Sequence, residues 1–201
     1  MRRRRPQLIV LSGIPGTGKS ALAEAIAGAL GLPVFSVDPI EAALLASGIE
    51  HGFTSGLAAY NVCLALADRE LRKRHGAIID AVNGVEPAKE MWRRLATAHG
   101  LPLIVIECIC SDARHHRTRL ANRSRGIGLP EPTWRDVERR KAEFVPWTEP
   151  VLVVDAMEPL EVGERLALAW IRRRKRQGAA AWLKRDHAAN RRSGSRRKRP
   201  E

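Results

Sequence analysis

The chain has 201 residues, 44% of them hydrophobic, and a formal net charge of +13. That length suits one domain with room for a core, and no apolar run approaches what a bilayer span needs. The basic start meets Pro6 and a glycine-rich loop too soon for a secretory signal. The charge is unevenly placed. Arg2 to Arg5 carry +4 and Arg172 to Glu201 carry +11, while Pro6 to Ile171 sit near −2. Ends of this kind suit polyanions such as RNA, DNA or a membrane surface, or form a solvated disordered tail over Ser193 to Glu201. Three cysteines without zinc spacing, two of them (Cys108 and Cys110) in an apolar run, read as buried thiols in a reducing cytoplasm.

In chain order, Leu8 to Leu11 form a short apolar run suited to a buried strand, and Ala21 to Leu30, closed by Gly31, read as a helix. Between them Gly13-Ile14-Pro15-Gly16-Thr17-Gly18-Lys19-Ser20 fits G-x-x-x-x-G-K-[ST] without a mismatch. Glycines allow the loop amides to turn inward around an anion at the positive end of the following helix. Lys19 is placed to reach the β- and γ-phosphates of a purine nucleoside triphosphate, and the Ser20 hydroxyl to ligate Mg²⁺.

A second strand, Pro33 to Val37, is expected to end at Asp38, with Pro39 opening a helix to about Ser47. Asp38 then lies at the carboxyl end of a strand, where open α/β sheets place ligands. It is read as a general base for an acceptor hydroxyl or as an outer support for Mg²⁺, with helix capping as its purely structural role. Thr54 to Arg74 read as one long helix that Gly76 breaks. Ala77-Ile78-Ile79-Asp80 follow as a buried strand whose final carboxylate is placed to orient the Mg²⁺ shell, or else caps a turn. Asn83 and Gly84 in the next turn are expected to face the acceptor.

Glu86 to His99 read as helical, Leu103 to Cys110 as the central strand, and Val151 to Val154 as a last strand before Asp155. A helix from about Leu160 to Arg174 and a short one over Ala179 to Arg185 close the chain. Strands separated by helices imply parallel pairing with right-handed crossovers. Two charged helices, Asp112 to Arg125 and Thr133 to Phe144, have little apolar face and read as a lid over the triphosphate. Arg119 and Arg123 share a helical face and are placed to steady a transferring phosphoryl group, unless the helix is merely solvated. His115 and His116 point about 100° apart and form no metal site.

The phosphate loop, Asp38, the run Ile78-Ile79-Asp80-Ala81-Val82-Asn83 and the lid segment Arg119-Leu120-Ala121-Asn122-Arg123 together resemble the small P-loop kinase-like ATPase-domain family. Polynucleotide kinase, zeta toxins and chloramphenicol phosphotransferase are of this kind. The resemblance covers about Gln7 to Trp170 and implies a three-layer αβα P-loop NTPase fold with a five-stranded, mainly parallel sheet. It also implies that Lys19 and Ser20 bind ATP–Mg²⁺, that Asp38 activates the acceptor, that Asp80 supports the metal and that a lid arginine contacts the phosphates. Where many members carry an arginine soon after the aspartate, this chain has Ile40-Glu41-Ala42, which implies an acidic or neutral acceptor pocket.

The organisation expected is a basic arm over 1–6, a kinase-like domain over 7–171 with its lid at about 112–144, and a basic extension over 172–201. The activity expected is transfer of the γ-phosphoryl group of ATP to a hydroxyl of a small molecule, a nucleotide sugar or a nucleic-acid 5′ end. Two rivals stand beside it: an ATPase switch whose basic tail docks on RNA or DNA, and a toxin-type regulatory module.

Overall fold

The structure, a computed structural model, describes residues 6–124 and 126–194, with side chains described as far as Gln177. The basic residues Arg2 to Arg5, Arg125 and Ser195 to Glu201 lie outside the described residues, as do the side chains of Trp182 and Leu183.

Five strands pair in the order β2-β3-β1-β4-β5, and every pairing is parallel, so the mainly parallel sheet expected is wholly so. They are β1 (Leu8–Ser12), β2 (Val34–Ser36), β3 (Ala77–Asp80), β4 (Leu103–Ile109) and β5 (Val151–Asp155). Parallel strands need crossovers, and the helices that supply them cover both faces of the sheet. On one face α3 (Phe53–Arg72) and α4 (Glu86–Ala98) bury Cys63, Ala67, Trp92 and Leu95 against Val10, Ile79 and Val105. On the other, α1 (Lys19–Leu30) and α7 (Leu160–Gly194) bury Leu22, Ile26, Ala167 and Ile171 against Ile9, Ile78 and Ile104. β1 lies in the middle with all its residues buried, so the loop that follows emerges from the most rigid part of the sheet.

The second strand is shorter than expected. α2 (Val37–Ala46) starts at Val37 with Ser36 at its cap position, which puts Asp38 inside the first helical turn and not at a strand end or cap. Pro39 completes that turn, where its fixed φ costs nothing and its missing N–H is not needed. α7 corrects a second expectation. It runs unbroken for 35 residues, through the gap expected between Arg174 and Ala179. No proline interrupts it, and a lone Gly178 costs only about 1 kcal/mol against a run rich in Ala, Arg, Lys and Leu. Cys63 and Cys108 are buried as expected, but Cys110 lies beyond β4 and is half-exposed.

The lid helices are α5 (Ala113–Ala121), capped by Asp112, and α6 (Trp134–Ala142), capped by Thr133 and Asp136. Each is anchored by few residues: His116 and Leu120 in α5, Val137 in α6. The chain leaving α6 is held by α4. Lys89, wholly buried, donates to the Val145 carbonyl and lies 4.8 Å from the ring centres of both Phe144 and Trp147. Arg93 pairs with Glu149 one turn on.

Candidate active site

The loop between β1 and α1 takes its shape from contacts on every side. Gly13 has φ +146°, and a Cβ there would stand 2.3 Å from the Cys108 carbonyl oxygen. Gly16 and Gly18 also have positive φ, and Cβ atoms on them would press on His116 and Arg119 at 2.9 and 3.1 Å. The Gly13 N–H and the Ser12 hydroxyl both donate to the Val82 carbonyl at 3.1 Å, tying the loop to the end of β3. The Thr17 hydroxyl closes the loop onto the Ile14 carbonyl at 2.8 Å. Lys19 is buried at the start of α1, and Ser20 follows it on the exposed side.

A cleft of about 800 Å³ opens in front of this loop at the carboxyl ends of β1, β2 and β3. Gly16, Gly18, Lys19 and Ser20 form its floor. Asp38 and Asp80 line one wall, and Arg119 and Arg123 of the lid the other. Asp80 is only 5% exposed; its Oδ2 accepts from the Ser36 hydroxyl at 3.0 Å, and its Oδ1 is buried without a hydrogen-bond partner. A buried carboxylate oxygen left unmatched is costly, and a hydrated divalent ion held by phosphate would match it. Among the described residues no cluster of three or more His, Cys, Asp or Glu side chains is placed to hold a metal, so phosphate and water oxygens would have to complete the set with Ser20 and Asp80. The donor set fits nucleotide-bound Mg²⁺.

The lid arginines make different contacts. Arg119 lies on the loop, its Nε donating to the Gly16 carbonyl at 3.3 Å. Arg123 reaches across the cleft, its Nη2 3.7 Å from Oδ2 of Asp38. Arg117 stacks over Trp134 at 4.7 Å and faces Glu138, away from the loop.

Asn83 does not face an acceptor. It is fully buried, with φ +49°, its amide donating to the Leu11 carbonyl and its Oδ1 accepting from Trp92. It bolts β3 to β1 beneath the loop. Gly84, its neighbour, does border a cavity. Sequence reasoning missed three participants. Ser36 steadies Asp80. His116, 4% exposed, makes a 2.7 Å Nε2 hydrogen bond to the Pro15 carbonyl, while Trp134 packs edge-on to its ring at 5.2 Å. Because a carbonyl only accepts, Nε2 carries the proton. Tyr60 joins Val82, Asp38 and Arg140 around a cavity on the far side of Asp38. Nothing local in the sequence marks these residues; 101 positions separate His116 from Pro15.

The family model described as an AAA domain matches residues 8–146, from the first strand to the end of the lid. The chain belongs to the AAA domain family. Its fold is that of P-loop kinases: a gluconokinase of Sinorhizobium meliloti is 22% identical, with a TM-score of 0.63 over 87% of this chain and 97% of that one. A Chloroflexus aurantiacus protein described as a candidate kinase is also 22% identical, with a TM-score of 0.67 over 85% of this chain and 99% of that one. An APS kinase of Mycobacterium tuberculosis, solved with AMPPNP and APS, is 15% identical, with a TM-score of 0.63 over 84% of this chain and 98% of that one. At these identities the likeness is one of fold. No curated protein matches the sequence significantly.

Proposed function

We propose that this AAA domain is an ATP-dependent kinase that transfers the γ-phosphoryl group to a hydroxyl of an acceptor. One observation carries the reading: a phosphate cradle, an unmatched buried carboxylate oxygen and a carboxylate on the boundary of a second cavity share one cleft. A switch that only hydrolyses ATP has no need of that second cavity.

In the proposed mechanism the loop amides and Lys19 hold the β- and γ-phosphates. Mg²⁺, held by the Ser20 hydroxyl and supported by Asp80, would supply charge neutralisation at the phosphates. Asp38 orients the acceptor hydroxyl and takes its proton as the acceptor oxygen bonds to the γ-phosphorus. The bond from that phosphorus to the β–γ bridging oxygen breaks, and ADP leaves with the bond's electron pair. Arg119, already against the loop, neutralises charge on the phosphoryl oxygens. Arg123 must let go of Asp38 before the hydroxyl can dock, and it then faces the same phosphoryl group. Positioning and charge neutralisation do most of the work in such a reaction.

The test is transfer of ³²P from γ-labelled ATP to a panel of hydroxyl compounds and 5′-OH oligonucleotides. Lys19→Ala and Asp38→Asn are each expected to lower transfer at least a hundredfold, a loss in keeping with a missing charge clamp or general base. Release of free phosphate alone, kept in Asp38→Asn, would instead favour the ATPase switch.

A further inference from the structure

Beyond Asp38 the cleft continues into two cavities that share Tyr60, Val82 and Arg140. The nearer, about 280 Å³, also has Asp38, Glu41 and His51 in its walls; the farther, about 430 Å³, has Gly84, Arg139 and Glu143. These volumes match small ligands. At the near end stand the Asp38 and Glu41 carboxylates. The Glu41 side chain is 14% exposed, its Oε1 accepting from the Ser55 hydroxyl at 2.7 Å and lying 4.0 Å from His51. Such groups accept hydrogen bonds from vicinal hydroxyls. Between the ends, the Tyr60 oxygen accepts from the Asn83 N–H at 3.1 Å, and burial pushes its pKa up to about 12, so its O–H remains a donor.

On the border that the two cavities share stands Arg140. Its neighbour Arg139 is paired with Asp136 at 3.0 Å, but among the described residues Arg140 has no carboxylate within 4.0 Å. A guanidinium with five donors at the border of both cavities is matched by a carboxylate or phosphate. The α2 segment Ile40-Glu41-Ala42 carries no cation, so the sequence around Asp38 points to an acidic or neutral pocket. Folding brings a cation to it from α6, about a hundred residues on.

On the kinase reading above, we infer that the acceptor is a small polyhydroxylated anion, its reacting hydroxyl at Asp38 and its carboxylate or phosphate on Arg140. Neutral polyols leave the guanidinium unmatched, and amino sugars set a cation against it. A nucleic-acid 5′ end would have to place a phosphodiester there.

Binding and transfer test this separately in the full-length chain. Gluconate and glucose 6-phosphate, which tell carboxylate from phosphate, are titrated beside glucose, glucosamine and a 5′-OH oligonucleotide in the presence of AMPPNP and Mg²⁺. The same compounds are then offered with labelled ATP. One of the two anionic polyols is expected to bind at least tenfold tighter than glucose. Arg140→Ala should raise its Kd and KM about tenfold or more with kcat within about threefold, as loss of a charge-assisted contact remote from the reacting atoms would. Arg140→Lys should recover part of that loss. Arg135→Ala, about 140° round the same helix, should change nothing. Equal or better use of glucose, glucosamine or the oligonucleotide, no binding of either anion, or an Arg140→Ala variant with unchanged Kd each overturns the inference. Arg140-dependent binding without transfer would uphold the anion seat and sink the kinase reading; transfer to a neutral or cationic acceptor would do the reverse.

Discussion

His116 shows how much of the phosphate loop is held from outside it. The loop's own sequence supplies the turns, but the Pro15 carbonyl points to the lid, and a buried imidazole receives it. Removing that ring leaves a buried carbonyl unmatched, a cost of about 1–3 kcal/mol. His116→Ala is therefore expected to weaken ATP binding roughly tenfold, and His116→Gln, which keeps an N–H donor, to recover part of it. Titration with a fluorescent ATP analogue reads both; an alanine variant of full affinity would show that the contact merely accompanies the loop's shape. Arg119, three residues on, touches the Gly16 carbonyl from the same helix, so one turn of α5 grips two consecutive loop residues.

The helices on the α3/α4 face are joined by polar contacts as well as by their core. Asp68 near the end of α3 meets Arg72 on its own helix at 2.7 Å and His99 at the end of α4 at 2.7 Å. Hydrogen bonds first from Arg72 and then from His99 hold its carboxyl below the ordinary 3.8. A carboxyl with a depressed folded-state pKa adds stability above its unfolded value, and that stability is lost as pH falls through the folded value. Asp68→Asn is expected to cost about 0.2–1 kcal/mol at pH 7 and less at pH 3, below the unfolded value, as urea melts at the two pH values would show. An equal cost at both would place the effect in packing. The lid obeys a related logic. Few apolar residues hold α5 and α6, while Lys89 and Arg93 of α4 fix the segment that leads out of them. The lid therefore has one firm post and a lightly held body, the pattern expected of an element that opens and closes.

At the scale of the molecule, the sheet order puts β1 between β3 and β4, and the cleft opens at the carboxyl ends where the chain reverses direction across the sheet. α7 belongs to that body through Ala167, Trp170 and Ile171, the Trp170 indole donating to the Val105 carbonyl at 3.1 Å. Past Gln177 the helix continues to Gly194, and the sequence from there to Glu201 brings the number of further Lys and Arg residues to eight. Among the described residues, both core clusters lie before residue 178, between Leu8 and Ile171. A protein truncated after Gln177 should keep its ATP affinity and melting temperature while its binding to a random oligonucleotide weakens and the slope of log K against log salt flattens. An unchanged slope would remove the tail from any role with polyanions.

The sequence alone determined the fold class and the phosphate loop. Both are written in local patterns: apolar runs of strand length, helices between them, and glycines followed by Lys19 and Ser20. Asp80 was legible for the same reason, as the last residue of an apolar strand. Tertiary structure decided the rest. Asp38 moved from a strand end into a helical turn because Ser36 turned its hydroxyl toward Asp80 while Pro39 favoured an early helix. Asn83, polar and beside a turn, looked like a ligand contact until Leu11, Tyr60 and Trp92 enclosed it. Arg140 looked like one more charge on a lid helix, and only the packing of α6 beside Tyr60 brought it to the cavity next to Asp38. A local pattern fixes how the backbone folds nearby. Which distant side chain meets it depends on how helices dock, and no single stretch of chain encodes that.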